Sequence, residues 1–290
     1  MTTVVDGHLH VHRPGDPTAD HELFPEGWGA TVEDLAAAHD EHGVDGAVMV
    51  PVGSAPAHTE YATEAAAAYP GMSAVIGVYD ASVDDAVGHY RDLLQDHDLQ
   101  GLRVMTLDGD PGDDPQDLDI WPLLEEFADR GHCLWMYPLP GEYELVDAVA
   151  EALPDLKVVY NLLGYPQPGT LEAYVADEHG RPTLPTMEMP PERLETLTRS
   201  GRRPNTYVMF GGHFQYSDEG YPYHDMVDHS EALRDSFGPD HMFFITDWPW
   251  TAAVPGYDRL LDLIDVHLPD LDEGERADVM GGTVQRLLDF

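Results

Sequence analysis

"VVDGHLHVH", residues 4–12, decides between the two large α/β architectures open to this 290-residue chain. Two β-branched residues begin a strand, and strand side chains alternate between faces. Asp6, His8, His10 and His12 are therefore expected on one face. Three readings of those imidazoles stand side by side: chance in a chain with 16 histidines, a solvated edge strand, or a site for a metal or proton transfer. The stretch carries one glycine and no phosphate loop follows it, which argues against a doubly wound nucleotide-binding sheet.

Working outward, seven more short apolar runs are rich in β-branched and aromatic residues: 46–52, 73–79, 102–107, 133–139, 157–163, 206–212 and 242–248. Such runs read as buried parallel strands. Helical signals fall between most of them. "TVEDLAAAHDEHG" pairs Thr31 with Asp34 as a capping box and stops at Gly43. "SVDDAVGHYRDLLQDH" is expected to start at Ser82, and six further segments follow, down to "EGERADVMGGTVQRLLDF" at the end of the chain. Eight alternations predict an α/β fold, a (β/α)8 TIM barrel forming a single domain over 1–290. Residues 164–205 break the rhythm after strand six. Their length and Pro/Gly content predict a lid.

Charge narrows the partners. Fifty-five acidic residues face 14 basic ones, a net charge of −41, which repels phosphate backbones and anionic lipid. Neither nucleic acid nor a membrane is an expected partner, and a small-molecule substrate is. The acids are spread through a chain that is 42% apolar and holds one lysine, Lys157, as in proteins from a salt-in halophilic source. Molar salt would screen the self-repulsion and dilute buffer would weaken the fold. No run reaches the ~20 apolar residues of a membrane span, and no secretory pattern opens the chain, so a cytoplasmic protein is expected. A homodimer through the outer helices is left open. Cys133 lies in an apolar run and reads as core.

Barrel chemistry gathers at the C-terminal ends of the strands. His8 and His10 end strand one, and Asp247 ends strand eight, its neighbour on closure. Together they suit one divalent metal, zinc first and manganese or iron next, with His213 as an additional ligand or general acid. Asp247 could ligate the metal or take a proton from its water. Arg103, inside "LRVMTL", needs an anion, either a substrate carboxylate or an interior acid such as Asp6. Trp135, Tyr137, Trp248 and Trp250 read as an aromatic pocket, with Trp248 against substrate, or as plain core. His213 could equally be a loop histidine facing water.

"DGHLH" (6–10), "TDWPW" (246–250), "LQGLRVM" (99–105) and the closing "MGGTVQRLLDF" resemble the amidohydrolase superfamily. The branch they are most similar to is the amidohydrolase-related one, which includes aminocarboxymuconate-semialdehyde-decarboxylase-like enzymes. Two strand-end histidines of that branch are replaced here by Tyr137 and Leu162, which removes the binuclear form of its metal site. The resemblance implies a metal-dependent hydrolase acting on a C–O or C–N bond of a small carboxylate-bearing substrate, with Asp247, His213 and Tyr137 catalytic. A decarboxylase, a metal-independent lactonase, or a degenerate barrel that only binds a ligand are the alternatives.

Overall fold

The computed structural model describes residues 2–13, 30–52, 56–80, 83–168 and 173–289. Strand β1 (Val5–Leu9) pairs in parallel with β2 (Gly46–Met49), and β2 with β3 (Met72–Val75). Beyond Ile76, β3 continues as Gly77–Val78 and pairs with β4 (Gly101–Val104). The ladder then runs through β5 (Cys133–Met136), β6 (Lys157–Tyr160), β7 (Thr206–Phe210) and β8 (Met242–Phe244), parallel throughout. Past the end of β8, the Asp247 N–H donates to the His8 carbonyl at 3.1 Å and the His10 N–H to the Trp248 carbonyl at 2.8 Å. Those two bonds close the eight strands into a (β/α)8 barrel.

Helices α1 (Val32–His42), α2 (Pro56–Ala68), α3 (Ala86–Asp96), α4 (Trp121–Arg130), α5 (Tyr143–Ala152), α6 (Pro191–Ser200), α7 (Val227–Phe237) and α8 (Tyr257–His267) cover the strands. Thr31 and Asp34 form the expected capping box on α1, and Gly43 ends it at φ 70°, where glycine is the residue without a Cβ penalty. The expected start of α3 at Ser82 lies outside the described residues, and the helix begins at Ala86 with Asp85 as its cap. Helix α2 carries no apolar stripe that periodicity could detect, only an alanine-rich run, and was not among the expected helices. The last segment is not one helix either. A wide turn over Asp278–Gly282 interrupts it. There Gly281 packs so close to strand one that a Cβ would lie 2.5 Å from the Thr3 carbonyl oxygen.

The shared face expected for Asp6, His8 and His10 is corrected by a β-bulge. Asp6 pairs with Ala47 and Leu9 with Met49, so three steps on β1 oppose two on β2. Alternation slips by one residue, and Asp6 leaves the face of the histidines. Its carboxylate accepts from the Thr246 N–H at 3.0 Å, from the Thr246 hydroxyl, and from the Tyr257 hydroxyl of α8 at 2.7 Å. His39 of α1 bonds the same Tyr257 oxygen at 2.6 Å and Tyr69 at 2.6 Å. Asp6 thus fastens β1 to the chain leaving β8, and burial, opposed by those hydrogen bonds, pushes its carboxyl up to about 6.

Gly7 makes the bulge fit. A Cβ there would lie 2.4 Å from the Phe243 ring. The Gly7→Ala variant is expected to lose about 1–3 kcal/mol through overpacking, read from its urea midpoint. An unchanged midpoint would mean that Phe243 has room to move.

Candidate active site

Asp247 adopts φ 58°, the left-handed region that Asp and Asn tolerate better than most side chains. Its Oδ1 lies 3.2 Å from His10 Nε2 and 3.9 Å from His8 Nε2. Its Oδ2 accepts from Gln215 Nε2 at 3.0 Å. All four residues are buried. The convergence expected of the first and last strands is therefore present.

The two imidazoles are held differently. His10 Nδ1 lies 2.6 Å from the Val50 carbonyl, an acceptor, so it carries a hydrogen and Nε2 faces Asp247. That contact takes one proton or one cation between its atoms. His8 Nδ1 instead accepts from the Trp135 indole N–H at 3.1 Å, and Nε2 lies 3.3 Å from the Tyr137 hydroxyl. The ligand atoms of His8, His10 and Asp247 all fall within 4.8 Å of one another, so the three make a candidate metal centre. Proximity suits a divalent ion, whereas the indole bond to His8 opposes one.

Burial, reinforced by His10 and Arg103, holds the His8 imidazole well below the usual histidine range. Burial also raises the Tyr137 hydroxyl above its ordinary value, with Arg103 opposing. Tyr137 therefore stays a hydroxyl donor and not a phenolate ligand. Arg103, on β4, donates from Nη2 to the Val52 carbonyl at 2.6 Å, and its guanidinium carbon stands 5.5 Å from the Tyr137 ring centre. Among the described residues its buried Nε has no hydrogen-bond partner. Pairing with Asp6 is ruled out, since that carboxylate is engaged at the β1–β8 seam.

These groups line a cavity of about 100 Å³ at the strand ends, bordered by His10, Arg103, Tyr137, Gln215, Asp247 and Trp250. Tyr174 and Pro182, from the segment expected to be a lid, also line it. A small antiparallel pairing of Val175–Ala176 with Pro182–Thr183 shapes that segment. Leu162 reaches the same cavity where a relative's histidine was expected, and it offers neither a proton nor a lone pair. A larger open groove of about 940 Å³ runs beside α3 and is lined by no histidine.

Three expected site residues do not line the cavity: His8, which is bonded to Trp135 and Tyr137, together with His213 and Trp248. His213 turns into the core, with Nε2 3.5 Å from the Ser230 hydroxyl and its ring 4.7 Å from that of His267. Trp248 contributes its backbone to barrel closure, and Trp250 is the tryptophan that borders the cavity. Gln215, which grips Asp247, was missed. The only sequence signal for it is an amide in the apolar stretch "GGHFQY", two residues beyond the histidine that drew notice.

A family model described as "Amidohydrolase" matches residues 5–290. Comparison with curated protein sequences finds no match. Among solved structures, a probable 2-pyrone-4,6-dicarboxylic acid hydrolase from Acinetobacter baumannii, with citric acid bound, superposes with a TM-score of 0.71 at 14% identity, covering 100% of both chains. An amidohydrolase from Burkholderia multivorans with bound zinc gives 0.70 at 16% identity, covering 99% of each chain. A dihydroxybenzoic acid decarboxylase from Polaromonas sp. JS666, with manganese and an inhibitor, gives 0.60 at 14% identity, covering 100% of this chain and 97% of that one. At these identities the superpositions speak for the fold alone, while the family model spans the barrel from β1 onward, and the chain belongs to the amidohydrolase family of enzymes.

Proposed function

We propose that this amidohydrolase-family enzyme hydrolyses a C–O bond, that of an ester or lactone, in a small carboxylate-bearing substrate. The observation that carries the reading is Arg103: a buried guanidinium whose Nε has no partner among the described residues, bordering the same small cavity as the Asp247 carboxylate. A cation kept there with no acid paired to it among the described residues is matched by a substrate carboxylate. Asp247, oriented by Gln215, takes a proton from water as the water oxygen bonds to the carbonyl carbon. The carbonyl electron pair moves onto its oxygen, within reach of the Tyr137 hydroxyl as donor. When that pair returns, the C–O bond breaks and the leaving oxygen takes the proton back from Asp247. The products are an acid and an alcohol, and His213 has no part. If a divalent ion is bound at His8, His10 and Asp247, it would add Lewis acidity at the same place.

The name of the Acinetobacter protein supplies the probe. Ring opening of 2-pyrone-4,6-dicarboxylate, followed by loss of its ultraviolet absorbance, is the expected activity of the purified chain in high salt. Arg103→Met is expected to raise KM about 10- to 150-fold, the loss of ~1.5–3 kcal/mol of charge-assisted hydrogen bonding. An unchanged KM would remove Arg103 from substrate binding. Carbon dioxide release in place of ring opening would shift the reading to decarboxylation.

A further inference from the structure

We infer that Trp135 fixes His8 with its proton on Nε2, making His8 a hydrogen-bond donor to the Tyr137 hydroxyl and withholding it from a metal. The indole nitrogen of tryptophan has a hydrogen and no available lone pair. At 3.1 Å from His8 Nδ1 it can only donate, so Nδ1 holds the lone pair. A ring with one bare nitrogen is neither the cation nor the opposite tautomer, and the hydrogen sits on Nε2. That atom lies 3.3 Å from the Tyr137 oxygen and 3.9 Å from Asp247 Oδ1.

His10 is set the other way round. Its Nδ1 hydrogen goes to the Val50 carbonyl and its Nε2 faces Asp247 Oδ1 at 3.2 Å. A metal held by two imidazoles and a carboxylate needs a lone pair from all three, and a ligating histidine ordinarily donates its other N–H to an acceptor. His10 meets that pattern and His8 inverts it. Trp135 is fully buried, with its ring 6.3 Å from that of His8 at 13° and 5.6 Å from Phe243. The indole is wedged in the barrel and is not free to swing away. Trp135 is thus a positioning residue acting through His8. Tyr137, accepting from His8, keeps its own hydroxyl hydrogen for the cavity.

This inference rests on the hydrolase reading only for what the donor serves; its test does not use turnover. Long-range ¹H–¹⁵N spectra of histidine-labelled protein, with the His8 signals identified by their loss in His8→Gln, are expected to show a pyrrole-type Nε2 and a pyridine-type Nδ1. The wild-type chain dialysed against zinc is expected to retain well under one equivalent at this site. Trp135→Phe removes the donor, frees the ring to present a lone pair, and is expected to bind zinc about 10- to 100-fold more tightly, an increase abolished by adding His8→Ala. One equivalent of zinc on the wild type, lost in His8→Ala, overturns the inference whether or not Trp135→Phe folds. A folded Trp135→Phe that gains no zinc overturns the role given to Trp135. Failure to open the pyrone ring would instead strike the hydrolase reading and leave this one standing.

Discussion

Asp247→Asn is expected to lower kcat by about 10²- to 10⁴-fold, the usual contribution of a positioned general base, with KM nearly unchanged. Asparagine tolerates the left-handed backbone at this position as aspartate does. Its side-chain oxygen can still accept from Gln215, so the geometry at the β1–β8 seam survives and the loss reports the missing base. KM is expected to stay because, on the proposed function, Arg103 and not Asp247 grips the substrate carboxylate. A variant that keeps more than a tenth of wild-type kcat would show that another group takes the proton.

The second large effect is on stability in acid. Burial holds six imidazoles below their ordinary range: His39 to about 3, His229 to about 4, and His8, His132, His213 and His267 lowered as well. In the unfolded chain each takes a proton as pH falls through ~6.5, while the folded protein does not. Stability is therefore present above pH 6.5 and lost progressively down to about 4. Asp6 works in the opposite sense, since its folded carboxyl, raised to about 6, keeps a proton that the unfolded chain has released. Six histidines outweigh one carboxyl, and each imidazole that stays unprotonated in the fold adds about 1.4 kcal/mol per pH unit to the slope. The measurement is the urea midpoint between pH 7 and 4.5 in molar potassium chloride, where surface repulsion is screened. His229→Asn should flatten the slope by about one proton, and a level wild-type profile would contradict the account.

The strands were legible because each carries a compact β-branched or aromatic run, and the pairing of His8 and His10 with Asp247 followed from where those runs end. Neighbourhood on a closed barrel is a topological consequence and needs no side-chain detail. Direction was less legible. A single bulge moved Asp6 from the cavity to the seam, because period-2 reasoning assumes an unbroken ladder. Similarly, the short 3₁₀ turn at His213–Gln215 sends its histidine into the core and its glutamine toward Asp247. Nothing in the identities of those residues fixes the phase of so tight a turn. Helix α2 escaped notice because alanine marks helical propensity without marking a buried side.

Two residues that line the cavity, Tyr174 and Gln215, are linked through Gln167. The Tyr174 hydroxyl donates to the Gln167 side-chain oxygen, and the Gln167 amide donates to the Tyr216 hydroxyl. Tyr216 adjoins Gln215, the residue that steadies the Asp247 carboxylate. On the proposed function, a substrate that displaced Tyr174 would disturb, through one glutamine, the neighbour of the residue that orients Asp247.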